Sequence, residues 1–184
     1  MNRFSSVFEN FRDNEKVVEV ALQQPKIHYA FQYVSDRLRD NESLARLAVR
    51  DKTNFPKVSE RLKDDKEFVL HAMKNGCALV YSSNRLSEDK EIITEYVKQS
   101  GLNIKDIHEK HIDKDVVMAS VKEDGIGLLH CPAKYREDKE IVLEAIKSKP
   151  YALKYASTEI KELCKDKDPI KTLEATILHE QLEK

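Results

Sequence analysis

Glycine and proline are scarce. Four glycines and five prolines in 184 residues leave little material for β-turns, which argues against an all-β fold or a glycine-loop nucleotide fold. Cysteine is sparse too. Cys77, Cys131 and Cys164 are odd in number and never spaced as Cys-x-x-Cys, so neither a disulfide framework nor a zinc site is indicated. Net charge is nearly absent, at −1, and no global field draws the chain to nucleic acid or to an anionic membrane. No stretch reaches the ~18 apolar residues that a membrane span requires. Met1 to Glu15 carries charges and no continuous apolar core, so it is not expected to be a signal peptide. These absences together predict a soluble protein of a reducing, cytoplasmic compartment, with no cofactor and no membrane partner.

What is present is charge, at 35% of residues, and repetition. Asp65-Lys66-Glu67-Phe68-Val69-Leu70-His71-Ala72-Met73-Lys74 returns in altered form from Asp89, Asp113 and Asp138, with starts 24, 24 and 25 residues apart. A fixed period in the twenties is the signature of a repeat array. Alignment on the small residue inside the decamer extends it backwards: Ala21, Ala48, Ala72, Tyr96, Ser120 and Ala145 fall 27, 24, 24, 24 and 25 residues apart. Each unit opens on an acid, near residues 13, 40, 65, 89, 113 and 138. In the first two units that acid sits one position earlier relative to the alanine, which leaves its phase ambiguous.

The decamer predicts a helix. Asp is a good N-cap, and Glu two residues on suits the positive end of the helix dipole. Phe68, Val69, Ala72 and Met73 share one face at helical spacing. The second half of each unit reads as a shorter helix, such as Cys77 to Leu86 after the helix stop Asn75-Gly76, closed by a recurrent Ser-x-x-Leu/Ile. Neither helix buries its apolar face alone, so stacking is required. The expectation is an all-α fold: an α-solenoid of about six ~25-residue helical hairpin repeats over residues 13–164. A capping helix is expected at each end. The N-terminal one spans residues 1–12, with Phe4, Val7, Phe8 and Phe11 at helical spacing. The C-terminal one spans residues 165–184, opened by Asp168-Pro169, with Ile170, Leu173, Ile177, Leu178 and Leu182 on one side. An aromatic docking face or a membrane-surface helix is the alternative for the first. An acidic export signal containing Glu174, Glu180 and Glu183 is the alternative for the second.

The unit resembles the tandem repeats of the family catalogued as domain of unknown function 4116. The likeness is carried by Asp-Lys-Glu-apolar-Val-Leu-x-Ala-apolar-Lys, by Gly76 to Ser83 and by Tyr151 to Ser157. Unit four departs from it with Tyr96 in place of the alanine, and unit five with Cys131-Pro132. The resemblance implies tandem helical repeats and an origin in intracellular bacteria such as Legionella, in protists or in large viruses. It also implies a candidate for delivery into a host cell, in the manner of a bacterial effector. It implies no catalytic residue.

Three constellations bear on function. The residue before the closing Leu/Ile is basic or His in most units: Arg37, Arg61, Arg85, His111 and Lys134, then Glu159. Stacked units would turn these into a ladder, either contacting an acidic partner or pairing with the recurrent acids. His108 and His111, at i, i+3, lack the zincin spacing and have no third ligand in the sequence. His130-Cys131 invites a thiol–imidazole reading, although neighbours on a helix point about 100° apart. The function expected is therefore a non-enzymatic protein–protein interaction scaffold. A nucleic-acid-binding helical repeat protein using Arg37, Arg61 and Arg85 is the alternative, and a small thiol-dependent enzyme around Cys131 and His111 ranks third.

Overall fold

The structure is a computed structural model and describes residues 12–24 and 30–183. The expected N-terminal helix, with Phe4, Val7, Phe8 and Phe11, lies outside the described residues. Among the described residues the chain is entirely helical, without a strand. It divides into two compact units, residues 1–92 and 93–184, and the division falls within the helix Lys90–Gln99.

In the first unit the helices Glu15–Leu22, Glu42–Ala48 and Lys66–Lys74 pack on one another in chain order. Each is opened by a side-chain cap. Asn14, Asn41 and Asp65 accept the main-chain N–H of Val17, Leu44 and Phe68, which satisfies donors the first turn leaves over. Phe68, Val69, Ala72 and Met73 are fully buried, as helical spacing predicts. The Lys66–Lys74 helix stops at Gly76, whose φ of 77° places it in the left-handed region. The Gly76 N–H reaches the Met73 carbonyl and the Cys77 N–H the Ala72 carbonyl, at 2.7 and 3.2 Å, a Schellman ending.

In the second unit the helices Lys114–Glu123, Lys139–Ser148 and Pro169–Leu182 pack in the same sequential manner. Asp113 and Asp138 cap the first two. Asp168 caps the last, with Pro169 at its first position. Of that helix's apolar residues Leu173 is fully buried, but Leu178 and Leu182 are 58% and 79% exposed. Its apolar face is therefore only partly covered.

The second half of each unit differs from the single helix expected. It is a 3₁₀ element followed by a separate short α-helix: Lys52–Lys57 then Glu60–Lys63, Leu79–Tyr81 then Asn84–Ser87, Pro150–Tyr155 then Thr158–Leu163, except in unit four, where a second 3₁₀ element, Glu109–His111, follows Gly101–Asp106. The break falls at the recurrent serine, which is extended (φ −60°, ψ 153° at Ser59) and cannot continue a helix. Ser-x-x-Leu therefore opens a helix rather than closing one. The serine hydroxyl accepts the N–H three residues on, from Leu62 to Ser59 and from Leu86 to Ser83, at 3.3 Å in each case.

The small residue of the decamer marks a close crossing of backbones. In the second unit a Cβ added to Gly101 would meet the Ser120 carbonyl oxygen at 2.2 Å, and one added to Gly125 would meet that of Ala145 at 2.1 Å. Each glycine begins a 3₁₀ element that lies against the next long helix at its small residue. Ser120 is fully buried and satisfies its hydroxyl on the Gly101 carbonyl at 2.7 Å.

Candidate functional site

The basic ladder of the first unit is engaged within the fold. Arg61 Nε donates to both carboxylate oxygens of Asp40, at 2.9 and 3.1 Å, and its Nη2 donates to the Asp40 carbonyl at 2.8 Å. The Ser59 hydroxyl, two residues before Arg61, donates to the same carboxylate. The Ser59 N–H reaches the Arg39 carbonyl at 3.4 Å. The same clamp joins Ser83 and Arg85 to Asp64, and Ser35 and Arg37 to Asp13. The clamps at Asp40 and Asp64 fasten the short helix of one repeat to the C-cap of the preceding short helix, and the one at Asp13 fastens Asp36–Arg39 to the residue before the N-cap of Glu15–Leu22.

Electrostatics follow from that geometry. The Ser59 hydroxyl and then the Arg61 guanidinium hold the Asp40 carboxyl below the usual carboxylate range, against the opposing effect of desolvation. Ser83 and Arg85 do the same to Asp64, and Ser35 and Arg37 to Asp13. The arginines remain about 60% exposed (62%, 58% and 63%), so each pair contributes modestly on its own.

The clamp also resolves the phase of the acids. Two neighbouring positions have different roles: Asp40 and Asp64 receive the clamp, while Asn41 and Asp65 cap the next helix. Asp13 and Asn14 divide the work the same way. The sequence alignment merged these two columns.

The lysine of Asp-Lys-Glu has its own partners. Lys66 reaches Asp89 and Glu91 of the following decamer at 2.9 and 2.8 Å. Lys114 reaches Asp138 and Glu140 at 2.9 and 2.6 Å. Hydrogen bonds from Glu91 and then Asp89 raise the Lys66 pKa, and those from Glu140 and then Asp138 raise that of Lys114. At Lys66 and Lys114 the lysine thus bridges to the acids of the next copy, while Lys139 reaches Glu180 of the last helix at 2.7 Å.

In the second unit the ladder changes character. His111 ends the 3₁₀ element Glu109–His111 and lies edge-to-face with His108, their ring centroids 6.5 Å apart. Lys134 is exposed, its ammonium 4.8 Å from the Tyr135 ring centre. Pro132 stands where other units have the serine and has no N–H to donate. Tyr135 makes a different tie, its hydroxyl bonding the Ile112 carbonyl at 3.1 Å. Ser157 keeps the backbone bond, to the Arg136 carbonyl at 2.9 Å, but Glu159 replaces the arginine. The sequence marks Ser35, Ser59 and Ser83 as the start of the recurrent Ser-x-x-Leu motif but not as partners of the arginines. The invariant Ser-x-Arg-Leu order within units one to three was the available signal.

The thiols are placed for packing. Cys77, Cys131 and Cys164 are buried. Burial pushes the Cys77 and Cys131 thiols up to about 12. Cys131 Sγ donates to the Gly127 carbonyl at 3.3 Å, while His130 beside it is exposed. Among the described residues no group of three His, Cys, Asp or Glu side chains is disposed to hold a metal ion. Nor is any described helix long and apolar enough to cross a membrane.

No curated protein and no solved structure shows detectable similarity to the chain. The family model for a domain of unknown function (DUF4116) matches residues 50–87, 65–111 and 113–161, three segments that together cover more than half of the sequence and include the Lys66 and Lys114 bridges. The chain belongs to the DUF4116 family.

Proposed function

We propose that the chain is a non-enzymatic α-solenoid of about six ~25-residue units that serves as a protein–protein interaction scaffold. The observation that carries this reading is the recurrence of one fastening. Ser-x-Arg on aspartate, at Arg61 and Arg85, and Lys on Asp-x-Glu, at Lys66 and Lys114, tie neighbouring repeats within each compact unit, as expected where no repeat buries its apolar face alone. The exposed edge of such an array is an extended surface suited to a protein partner. Burial of all three thiols favours the scaffold over a thiol enzyme. Engagement of Arg37, Arg61 and Arg85 by carboxylates favours it over a phosphate-binding ladder, which needs free cations.

The test is affinity capture with the purified chain from bacterial and host-type lysates, read by mass spectrometry, with and without nuclease. The scaffold reading expects a discrete protein whose recovery survives nuclease. Recovery that vanishes with nuclease would replace it with the nucleic-acid reading. The lysate that yields the partner decides between the producing cell and a host cell as the working compartment.

A further inference from the structure

Successive long helices in each compact unit stack with their starts side by side. Lys66, the first residue of its helix, reaches Asp89 and Glu91 at the start of the next, and Lys114 reaches Asp138 and Glu140 in the same way. The last helix, Pro169–Leu182, reverses that order. Lys139, first in Lys139–Ser148, reaches Glu180 near the far end of Pro169–Leu182 at 2.7 Å. Lys147, near the end of its own helix, reaches back to Glu174 at 2.9 Å. Asp138 and Glu140 share a cleft with Ile177 and Gln181, which again sets the start of one helix against the end of the other. With a rise of about 1.5 Å per residue, a parallel helix would bring Lys139 to Glu174 and Lys147 to Glu180 instead. The last helix therefore runs against the one it covers.

A helix so placed fills the stacking position after Lys139–Ser148 without repeating the pattern. Among the described residues it gives Lys139 the single carboxylate of Glu180, whereas Lys66 and Lys114 each receive two. Pro169 stands where Lys66, Lys90, Lys114 and Lys139 follow their capping acids, so no lysine reaches onward from it. Leu173 is fully buried. Outwardly the helix exposes Lys171, His179, Glu180 and Gln181, with Leu178 and Leu182 as apolar exceptions. A largely polar outer side is what an end cap requires, because the bare end of a stacked array is apolar and self-associates. The sequence leaves Glu174 and Glu180 open to an export-signal reading, and both are engaged on lysines of the preceding helix.

We propose that Pro169–Leu182 is an inverted end cap, which occupies the stacking face of Lys139–Ser148 and keeps a second copy of the chain from docking there. The inference rests on the stacked-array part of the reading above and is independent of any protein partner. The pairs Lys139–Glu180 and Lys147–Glu174 hold the cap in its reversed direction, and Leu173 seats it.

The test compares the full chain with Glu174→Lys/Glu180→Lys, which turns both pairs into repulsions, and with Glu19→Lys/Glu123→Lys, a charge-matched control at exposed sites. Hydrogen exchange reads the amides of Pro169–Leu182, and light scattering reads the mass across a concentration series. Circular dichroism melts verify folding, and Glu174→Gln/Glu180→Gln replaces the reversal if it does not fold. The wild type and the control should keep one mass at all concentrations. The reversal should exchange the last helix about tenfold faster or more, with a mass that grows with concentration. Unchanged exchange, release without self-association, or a wild type that already self-associates would each overturn the proposal. Carbodiimide cross-linking reads the direction separately: Lys139–Glu180 and Lys147–Glu174 links are expected, and Lys139–Glu174 with Lys147–Glu180 links would overturn the inversion. Protection of the Lys114–Glu123 and Lys139–Ser148 amides in the wild type reports the stacking itself, so failure of the cap and failure of the array reading are told apart.

Discussion

Tyr135 donates its phenol hydroxyl to the main-chain oxygen of Ile112, which stands at the position whose carbonyl accepts the arginine Nη2 at Asp13, Asp40 and Asp64. In four other units a serine N–H reaches back to the carbonyl two residues before a helix cap, that of Arg12, Arg39, Lys63 or Arg136. Pro132 cannot do so, and the tyrosine three residues on ties the unit to the neighbouring carbonyl position instead. Tyr135→Phe removes the donor and leaves a buried acceptor without it, since Ile112 and Tyr135 are only 7% and 8% exposed. Urea denaturation should show a loss of about 1–2 kcal/mol with an unchanged m-value. A neutral substitution would mean that the bond contributes nothing.

The glycines of the second unit should tolerate alanine poorly, and for a different reason from Gly76. At Gly125 the added methyl meets the Ala145 carbonyl oxygen at 2.1 Å, so two backbones must separate. The expected cost for Gly125→Ala is about 1–3 kcal/mol, seen as a lower melting temperature. At Gly76 nothing lies within 4 Å, and only the positive φ of 77° opposes a side chain. Gly76→Ala should therefore cost about 1–2 kcal/mol through backbone strain alone, and Gly76→Asn less than Gly76→Ala. An inverted asparagine–alanine order would contradict this account of Gly76.

Much of this was legible in the sequence, and the parts that were not share a cause. Period, helical character and the capping of the long helices by Asp65, Asp113 and Asp138 follow from local chemistry, and local chemistry is what residue spacing records. The apolar face of Phe68, Val69, Ala72 and Met73 was likewise visible. The split of each second half into a 3₁₀ element and a short helix was hidden, because Ser59 and Ser83 as N-caps look the same in sequence as serines near a helix end. The adjacent acids Asp64 and Asp65 were merged, because only a partner some twenty residues away separates the clamp position from the cap. The ladder Arg37, Arg61 and Arg85 was found from spacing alone. That a serine hydroxyl shares each aspartate with the arginine is a tertiary fact.

The clamps give stability a definite pH dependence. Asp13, Asp40 and Asp64 have folded-state pKa values below the ordinary 3.8. Their contribution is therefore complete above that value and is lost as pH falls through the lower folded ones. The urea midpoint should hold from pH 7 to about pH 5 and fall below about pH 4. Carboxyl NMR should find Asp40 titrating below 3.8 in the wild type and higher in Ser59→Ala, because the serine bond is the largest cause. Titration at or above 3.8 in the wild type would refute the clamp's electrostatics.

Buried thiols pushed up to about 12 leave roughly one molecule in ten thousand as thiolate at pH 8. Iodoacetamide should leave Cys77 and Cys131 unmodified in the folded chain over times that fully modify both in strong denaturant, as mass spectrometry would show. Rapid modification of Cys131 in the folded chain would reopen the thiol-enzyme reading.

The central claim is that the recurrent arginines fasten successive units together rather than meet a ligand. A double-mutant cycle at Arg61 and Asp40 tests it most directly, with Arg61→Ala, Asp40→Ala and the double variant each unfolded in urea. The account predicts a double variant less destabilised than the sum of the singles, by a few tenths to about 1 kcal/mol, the range of partly exposed pairs. Strict additivity would show that the two side chains do not interact energetically, and would return Arg61 to the surface as a free cation.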